Sequence, residues 1–270
     1  MSLAVCATPI GNLEDVTLRV LRELGEADLV LCEDTRHTKL LLDRHGVRAK
    51  RLLSFHRHNE ARRTAELLPR LRAGERVALA SDAGLPGIND PGARLVAAAV
   101  ADGVPVTVLP GPTAVATALV VSGLAGERYQ FLGYLPRSAA ALSALWENLR
   151  RWQHPTVAFE SPQRLPASLA SLASVEPERR VAVCRELTKR FEEVVRGTAA
   201  EVAERFSDPP KGEITVVVGG AVAGGGDVEE PAALAAVAEL VAAGATRKSA
   251  ADVVSRLTGL SRNRLYSGSL

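Results

Sequence analysis

Short, unbroken apolar runs alternate along this chain with stretches whose apolar residues recur every three or four positions. Leu3 to Ala7 reads as a buried strand, and Thr17 to Leu24 as a helix with apolar residues at 18, 21 and 24. Strands follow at Leu29 to Cys32, Arg51 to Phe55, Val77 to Ala80 and Val104 to Leu109. Between them lie helical patterns through Leu40 to Leu42, over Glu60 to Leu71 and over Ala93 to Ala101. Pro112 to Val121 reads as a helix with proline in its first turn. Unbroken apolar strands separated by helices predict a mostly parallel sheet covered on both faces.

A second cycle starts near residue 125. Strands are expected at Tyr129 to Gly133, Thr156 to Phe159, Arg180 to Arg185 and Glu213 to Val218, with a short extra one at Glu193 to Arg196. The intervening helices are Ala139 to Trp152, Gln163 to Leu172 and Ala199 to Phe206. Gly219 to Gly226 carries five glycines in eight residues and reads as a flexible linker. Beyond it, Leu234, Val237, Leu240 and Val241 form one apolar stripe. Val254 and Leu257 belong to a second helix ended by Gly259, and Ser261 opens a last short one. The expected organisation is an α/β domain over 1–122, a second over 123–220, a glycine-rich linker over 221–230 and a helical tail over 231–270.

Composition narrows the function. The 270 residues are 47% hydrophobic but only 4% aromatic, so the core is built from Ala, Val and Leu. A formal charge of +2 gives no global basic field, so any nucleic-acid site is local. Cys6, Cys32 and Cys184 lie far apart without a C-x-x-C pair, which argues against a zinc ribbon or a disulfide framework. That usage fits a reducing cytoplasm. The N-terminus lacks a basic leader, and the longest apolar run, Ala114 to Val121, is too short to span a bilayer. A cytoplasmic protein without a membrane partner is expected.

Four loops follow predicted strands, where ligands bind in open α/β sheets. Thr8 to Asp15 is stiffened by Pro9 and Gly11; it either approaches a ligand or is an ordinary turn with Asp15 or Thr17 as helix cap. Glu33 to Thr38 gathers two carboxylates, Arg36 and His37, suited either to acid–base work or to capping and a solvated ion pair. Ser81 to Gly92 holds three glycines, two prolines and two aspartates. Asp82 is suited to accept a hydrogen bond from a ligand, whereas Asp90 before Pro91 is expected to cap the next helix. Pro110 to Ala114 brings small residues to a helix N-terminus. No G-x-G-x-x-G or Walker A pattern occurs, and His56-x-His58 without a third ligand does not make a metal site.

Five motifs occur in order: ATPIGNLEDVT at 7–17, CEDTRHT at 32–38, SDAGLPGINDPG at 81–92, PGPTA at 110–114 and ESPQR at 160–164. Together they resemble the small-subunit ribosomal RNA methyltransferases of the tetrapyrrole methylase superfamily, over roughly residues 3–265. The resemblance implies a two-domain fold with S-adenosylmethionine in the cleft, a homodimer, and methyl transfer to the ribose 2′-oxygen of a cytidine in the decoding region of 16S rRNA in the small ribosomal subunit. It implies cofactor contacts at Pro9, at Ser81, Asp82, Ala83 and Leu85 for the methionine end, and at Thr113 and Ala114. Phe159, Leu187 and Gly212 complete that implied pocket from the second domain. Leu85 stands where threonine is common, Asn89 where serine is, and Gln163 where an aromatic residue or histidine is. Leu85 leaves only a backbone contact there, and Gln163 cannot serve as a base.

A ribose hydroxyl is a poor nucleophile near neutral pH, so a base is expected. From loop position and residue type the candidates are Asp34, His37 and Glu160, with Arg36 as a nucleotide clamp. Candidate RNA contacts are Arg57, Arg62 and Arg63 and the tail cations Arg247, Lys248, Arg262 and Arg264, each of which also fits a solvated helix face. Two rivals remain open: a methyltransferase of the same fold acting on a small tetrapyrrole, and a non-catalytic ribosome-assembly factor.

Overall fold

A computed structural model describes residues 2–221, 230–258 and 260–268. Residues 222–229, most of the glycine-rich linker expected over 221–230, and the expected cap Gly259 lie outside the described residues. The N-terminal sheet comprises β1 (Leu3–Cys6), β2 (Leu29–Cys32), β3 (Leu52–Ser54), β4 (Val77–Ala80) and β5 (Val106–Leu109). Its order is β3-β2-β4-β1-β5 and every pairing is parallel. Burial on both faces is why β1, β2 and β4 are unbroken apolar runs. One face is covered by α3 (Glu60–Arg72) and α4 (Ala93–Ala101), which pack Leu67, Leu71, Leu95 and Ala99 against Leu3, Leu29 and Leu79. The other is covered by α1 (Leu18–Glu26) and α2 (Thr35–Arg44) through Val20, Leu24 and Leu42.

The C-terminal sheet comprises β6 (Gln130–Tyr134), β7 (Thr156–Glu160), β8 (Arg180–Arg185), β9 (Glu193–Thr198) and β10 (Ile214–Val218), ordered β6-β7-β10-β8-β9. Here the expectation of mostly parallel pairing needs correction. Only β6 and β7 are parallel; β10 runs antiparallel to both β7 and β8, and β8 antiparallel to β9. The chain passes from β8 to β9 through 186–192 with no crossover helix, and such a short link can join only antiparallel strands.

The C-terminal sheet has different covers on its two faces. On one side α6 (Ala139–Leu149), α7 (Leu165–Val175) and α8 (Ala199–Arg205) bury Trp146, Leu165, Leu169 and Val202 against Val181, Val183 and Val216. On the other lies α5 (Ala114–Val121), whose Val115, Ala118 and Leu119 pack on Val157, Ala182, Cys184 and Val217. This helix is apolar nearly all round, although only Val115, Ala118 and Leu119 are buried and Val120 is exposed. Pro112 does not enter its first turn: Thr113 is the N-cap residue. The tail helices α9 (Glu230–Ala242), α10 (Arg247–Thr258) and α11 (Arg262–Gly268) share a small core of Ala233, Val237, Ala251, Val254 and Leu265.

Candidate functional site

The loops after β1, β2, β4 and β5 converge at the carboxyl ends of the parallel strands. Thr8 and Gly84 exchange backbone hydrogen bonds of 2.8 and 3.0 Å, locking the first loop to the third. The Thr8 hydroxyl donates to Ser81 O (2.9 Å) and the Ser81 hydroxyl to Gly84 O (3.0 Å). The Asp34 N–H donates to Asp82 Oδ1 (3.0 Å), tying the second loop to the third. Gly84, Gly87 and Gly92 take φ of 79°, 85° and 131°, the region glycine tolerates and other residues seldom enter. Asn12 caps a 3-10 turn and Thr17 caps α1, so Asp15 is not the cap.

Beside these loops lies a cavity of about 330 Å³, in the range of small-molecule sites. Its walls come from both sheets: Ala83, Leu85, Thr113 and Ala114 on one side, Phe159, Leu187 and Gly212 on the other. Those seven expected ligand contacts therefore meet at one place. Three others do not line it. Pro9 is buried and does not line it, whereas its neighbour Ile10 does. Ser81 is buried and spends its hydroxyl on the loop, and Asp82 turns an oxygen to the Asp34 amide. Thr113 makes no side-chain capping bond to α5, which leaves the leading amides of that helix uncapped beside the cavity. Apolar walls next to a helix N-terminus suit a ligand with a flat apolar part and an anionic end. Opposite, Glu186 and Thr188 hold left-handed φ of 51° and 65°, fixed by Glu186 Oε1 accepting from Glu213 N and Lys189 Nζ, both at 2.9 Å. Strain of this kind collects at ligand sites.

The expected acid–base groups separate on inspection. Arg36 hydrogen-bonds Asp34 through its side chain and backbone, holding that carboxyl down to about 2. Asp34 is thus the α2 cap and too weak a base, and Arg36 pairs with it at 2.7 Å while its side chain stays exposed. His37 stands exposed, 3.9 Å from Asp82 Oδ2 and outside the cavity lining. Glu160 does line the cavity, but its residue is only 2% exposed. Its carboxylate accepts from Ser161 N (2.6 Å), Ser168 Oγ (2.6 Å) and the Arg164 guanidinium. Those donors make it a structural anion rather than a base.

Asp90 was missed as chemistry because Asp-Pro reads as a helix cap. It is not the cap of α4: Gly92 holds that position, and Glu60 from α3 accepts from Gly92 N (2.9 Å) and Arg94 N (3.3 Å). Asp90 lines the cavity instead. Burial, followed by the negative charges of Glu33, Asp82 and Glu213, pushes its carboxyl up to about 6.

The cationic candidates scatter. Arg62 and Arg63 both pair with Glu66, at 3.4 and 2.8 Å, and Arg57 donates to His58 Nε2. In the tail Arg262 pairs with Asp252 and Arg264 with Glu230, whereas no ion pair holds Arg247 or Lys248 among the described residues. Sequence reasoning also passed over Phe191, 64% exposed between β8 and β9, with the Arg190 guanidinium 5.5 Å from its ring centre. Its signal was Lys-Arg-Phe in a strand-to-strand link. No helix among the described residues is long and apolar enough to cross a membrane.

Residues 2–203 match the family model of the tetrapyrrole (corrin/porphyrin) methylases. Solved structures of similar fold include diphthine synthase (TM-score 0.63, 16% identity, 81% of this chain and 89% of that one). Uroporphyrin-III C-methyltransferase from Thermus thermophilus, complexed with S-adenosyl homocysteine, is another (TM-score 0.56, 19% identity, 80% and 96%). The chain belongs to the tetrapyrrole methylase family. It is 41% identical over 98% of its length to ribosomal RNA small subunit methyltransferase I of Mesorhizobium japonicum, covering 90% of that protein. It is 43% identical to the protein of the same name from Thermotoga maritima, over 81% of this chain and 98% of that one. Within the methylases, its family is ribosomal RNA small subunit methyltransferase I.

Proposed function

We propose that this chain uses S-adenosylmethionine to methylate the 2′-oxygen of a cytidine in the decoding region of 16S rRNA. The observation that carries this is the cavity: its lining unites motif residues of both sheets, on a chain collinear with ribosomal RNA methyltransferases. When bound, S-adenosylmethionine supplies a methyl group activated by its sulfonium. Ile10, Leu85, Phe159 and Leu187 would flank its apolar parts, and the α5 amides beside Thr113 and Ala114 would receive its carboxylate. Gly212, at φ 98°, brings backbone to the wall; a Cβ there would collide with Glu186. The protein's main contribution is alignment, which is worth several kcal/mol when reacting atoms are held in line.

In this reading the two sheets are separate domains, 1–122 and 123–220, with the site in their cleft. Exposed Phe191 beside Arg190 offers an aromatic face of the kind that stacks an unpaired base. Arg247 and Lys248 are the tail cations available to phosphates. Replacing both with alanine is expected to weaken binding to small ribosomal subunits and flatten the salt dependence by about two units of slope. An unchanged slope removes the tail from the interface.

The function is tested with tritiated S-adenosylmethionine and small ribosomal subunits lacking the modification, with naked 16S rRNA and a tetrapyrrole alongside. Label recovered in 2′-O-methylcytidine is expected. Label in the tetrapyrrole alone would move the activity to that substrate, and no transfer despite cofactor binding would point to an assembly factor.

A further inference from the structure

We propose that Asp90 is the base that receives the proton of the ribose 2′-hydroxyl, an assignment that rests on the RNA-methylation reading above. Three features of its setting carry this. Asp90 lines the cavity alongside Thr113, Ala114 and Phe159. No hydrogen bond or ion pair among the described residues engages that carboxyl, whereas Asp34 and Glu160 are each held by two or more donors. The backbone around it is shaped: Asn89 takes φ 63° and Gly92 φ 131°, and Glu60 does the capping that an Asp-Pro pair ordinarily performs. An aspartate relieved of its usual local duty on the wall of a cavity is free to handle a proton.

In the step, the 2′-oxygen forms its bond to the methyl carbon as the carbon–sulfur bond breaks. The electron pair of that bond stays on sulfur, which becomes a neutral thioether. The O–H electron pair remains on oxygen, and the proton passes to the Asp90 carboxylate and then to water. No further co-reactant is required.

The groups facing Asp90 are Glu33 after β2, Asp82 after β4 and Glu213 before β10, and their negative charge disfavours its ionised form. Glu160 and Tyr134 share the cavity wall, and the Lys189 ammonium lies beyond Glu213 at 2.9 Å. A base raised to about 6 is more proton-avid than an ordinary carboxylate and still ionised at neutral pH. It works only when unprotonated, so kcat/KM is expected to fall as the pH drops below about 6. A bound sulfonium favours the ionised form, so the corresponding limb in kcat lies at lower pH.

The experiment compares wild type with Asp90→Asn and Asp90→Glu, using small ribosomal subunits as acceptor and calorimetric binding of S-adenosylhomocysteine as a second readout. Removing a general base costs about 100- to 10,000-fold. Asp90→Asn is therefore expected to lose at least 100-fold in turnover at saturating cofactor. It should bind S-adenosylhomocysteine within threefold of wild type and lose the acid limb. Asp90→Glu should keep that limb with a smaller loss. Turnover of Asp90→Asn within tenfold of wild type, or an acid limb that persists in it, overturns the assignment. So does a loss in both variants that tracks a weakened S-adenosylhomocysteine affinity, which makes Asp90 a cofactor ligand. Wild type that labels no RNA overturns the RNA reading itself, and this assignment with it.

Discussion

Replacing Glu160 with alanine is expected to lower the folding free energy by about 3–5 kcal/mol, the usual consequence of removing one partner from a buried pair. The carboxylate at the end of β7 holds the N-terminal region of α7 through Ser161 N, Arg164 and Ser168. Its loss strands the Arg164 guanidinium, which also donates to Leu135 O and Pro136 O beyond β6. Urea unfolding measures the cost. Glu160→Gln keeps an acceptor for Ser168 but not the charge, and should fall between wild type and alanine. A double-mutant cycle with Arg164→Met isolates the pair. A loss under 1 kcal/mol in the alanine variant would show that the anchor contributes little.

The second large effect is on the cavity. Ala114→Leu places a branched side chain at the first position of α5, on the wall. Crowding a preformed site costs about 1–3 kcal/mol, or roughly 5- to 150-fold in affinity for S-adenosylhomocysteine. Thermal stability should change little, because the added atoms enter open space. Ala118→Leu, one turn further on, is the control. Ala118 is fully buried, its carbonyl accepts from Cys184 Sγ, and enlargement there should lower Tm instead. Unaltered affinity in Ala114→Leu would mean that the ligand lies elsewhere.

Much of the fold was legible because parallel buried strands cannot alternate polarity. Leu29–Cys32 and Val77–Ala80 end where their apolar runs end. The direction of the C-terminal strands was harder, since β10 inserts between β7 and β8 after α8 and strand–helix alternation conceals that. The length of the β8–β9 link carried the missing information. At the site, ligand-facing small residues were readable from loop position, but the roles of the acids were not. Asp90 is released from capping by Glu60, a residue on another helix thirty positions away, and no local pattern reports that. Glu160 sits at a strand end where chemistry is common. Only the helical spacing of Arg164 and Ser168 after it hints that its oxygens are already taken.

The placement of α5 has a thermodynamic consequence. It follows the last N-terminal strand in the chain, yet its side chains form the inner cover of the C-terminal sheet. Parting α5 from that sheet would bare Val157, Ala182 and Val217 to water. The two sheets are therefore expected to melt in one transition, which a ligand bound in the cavity would raise as a whole.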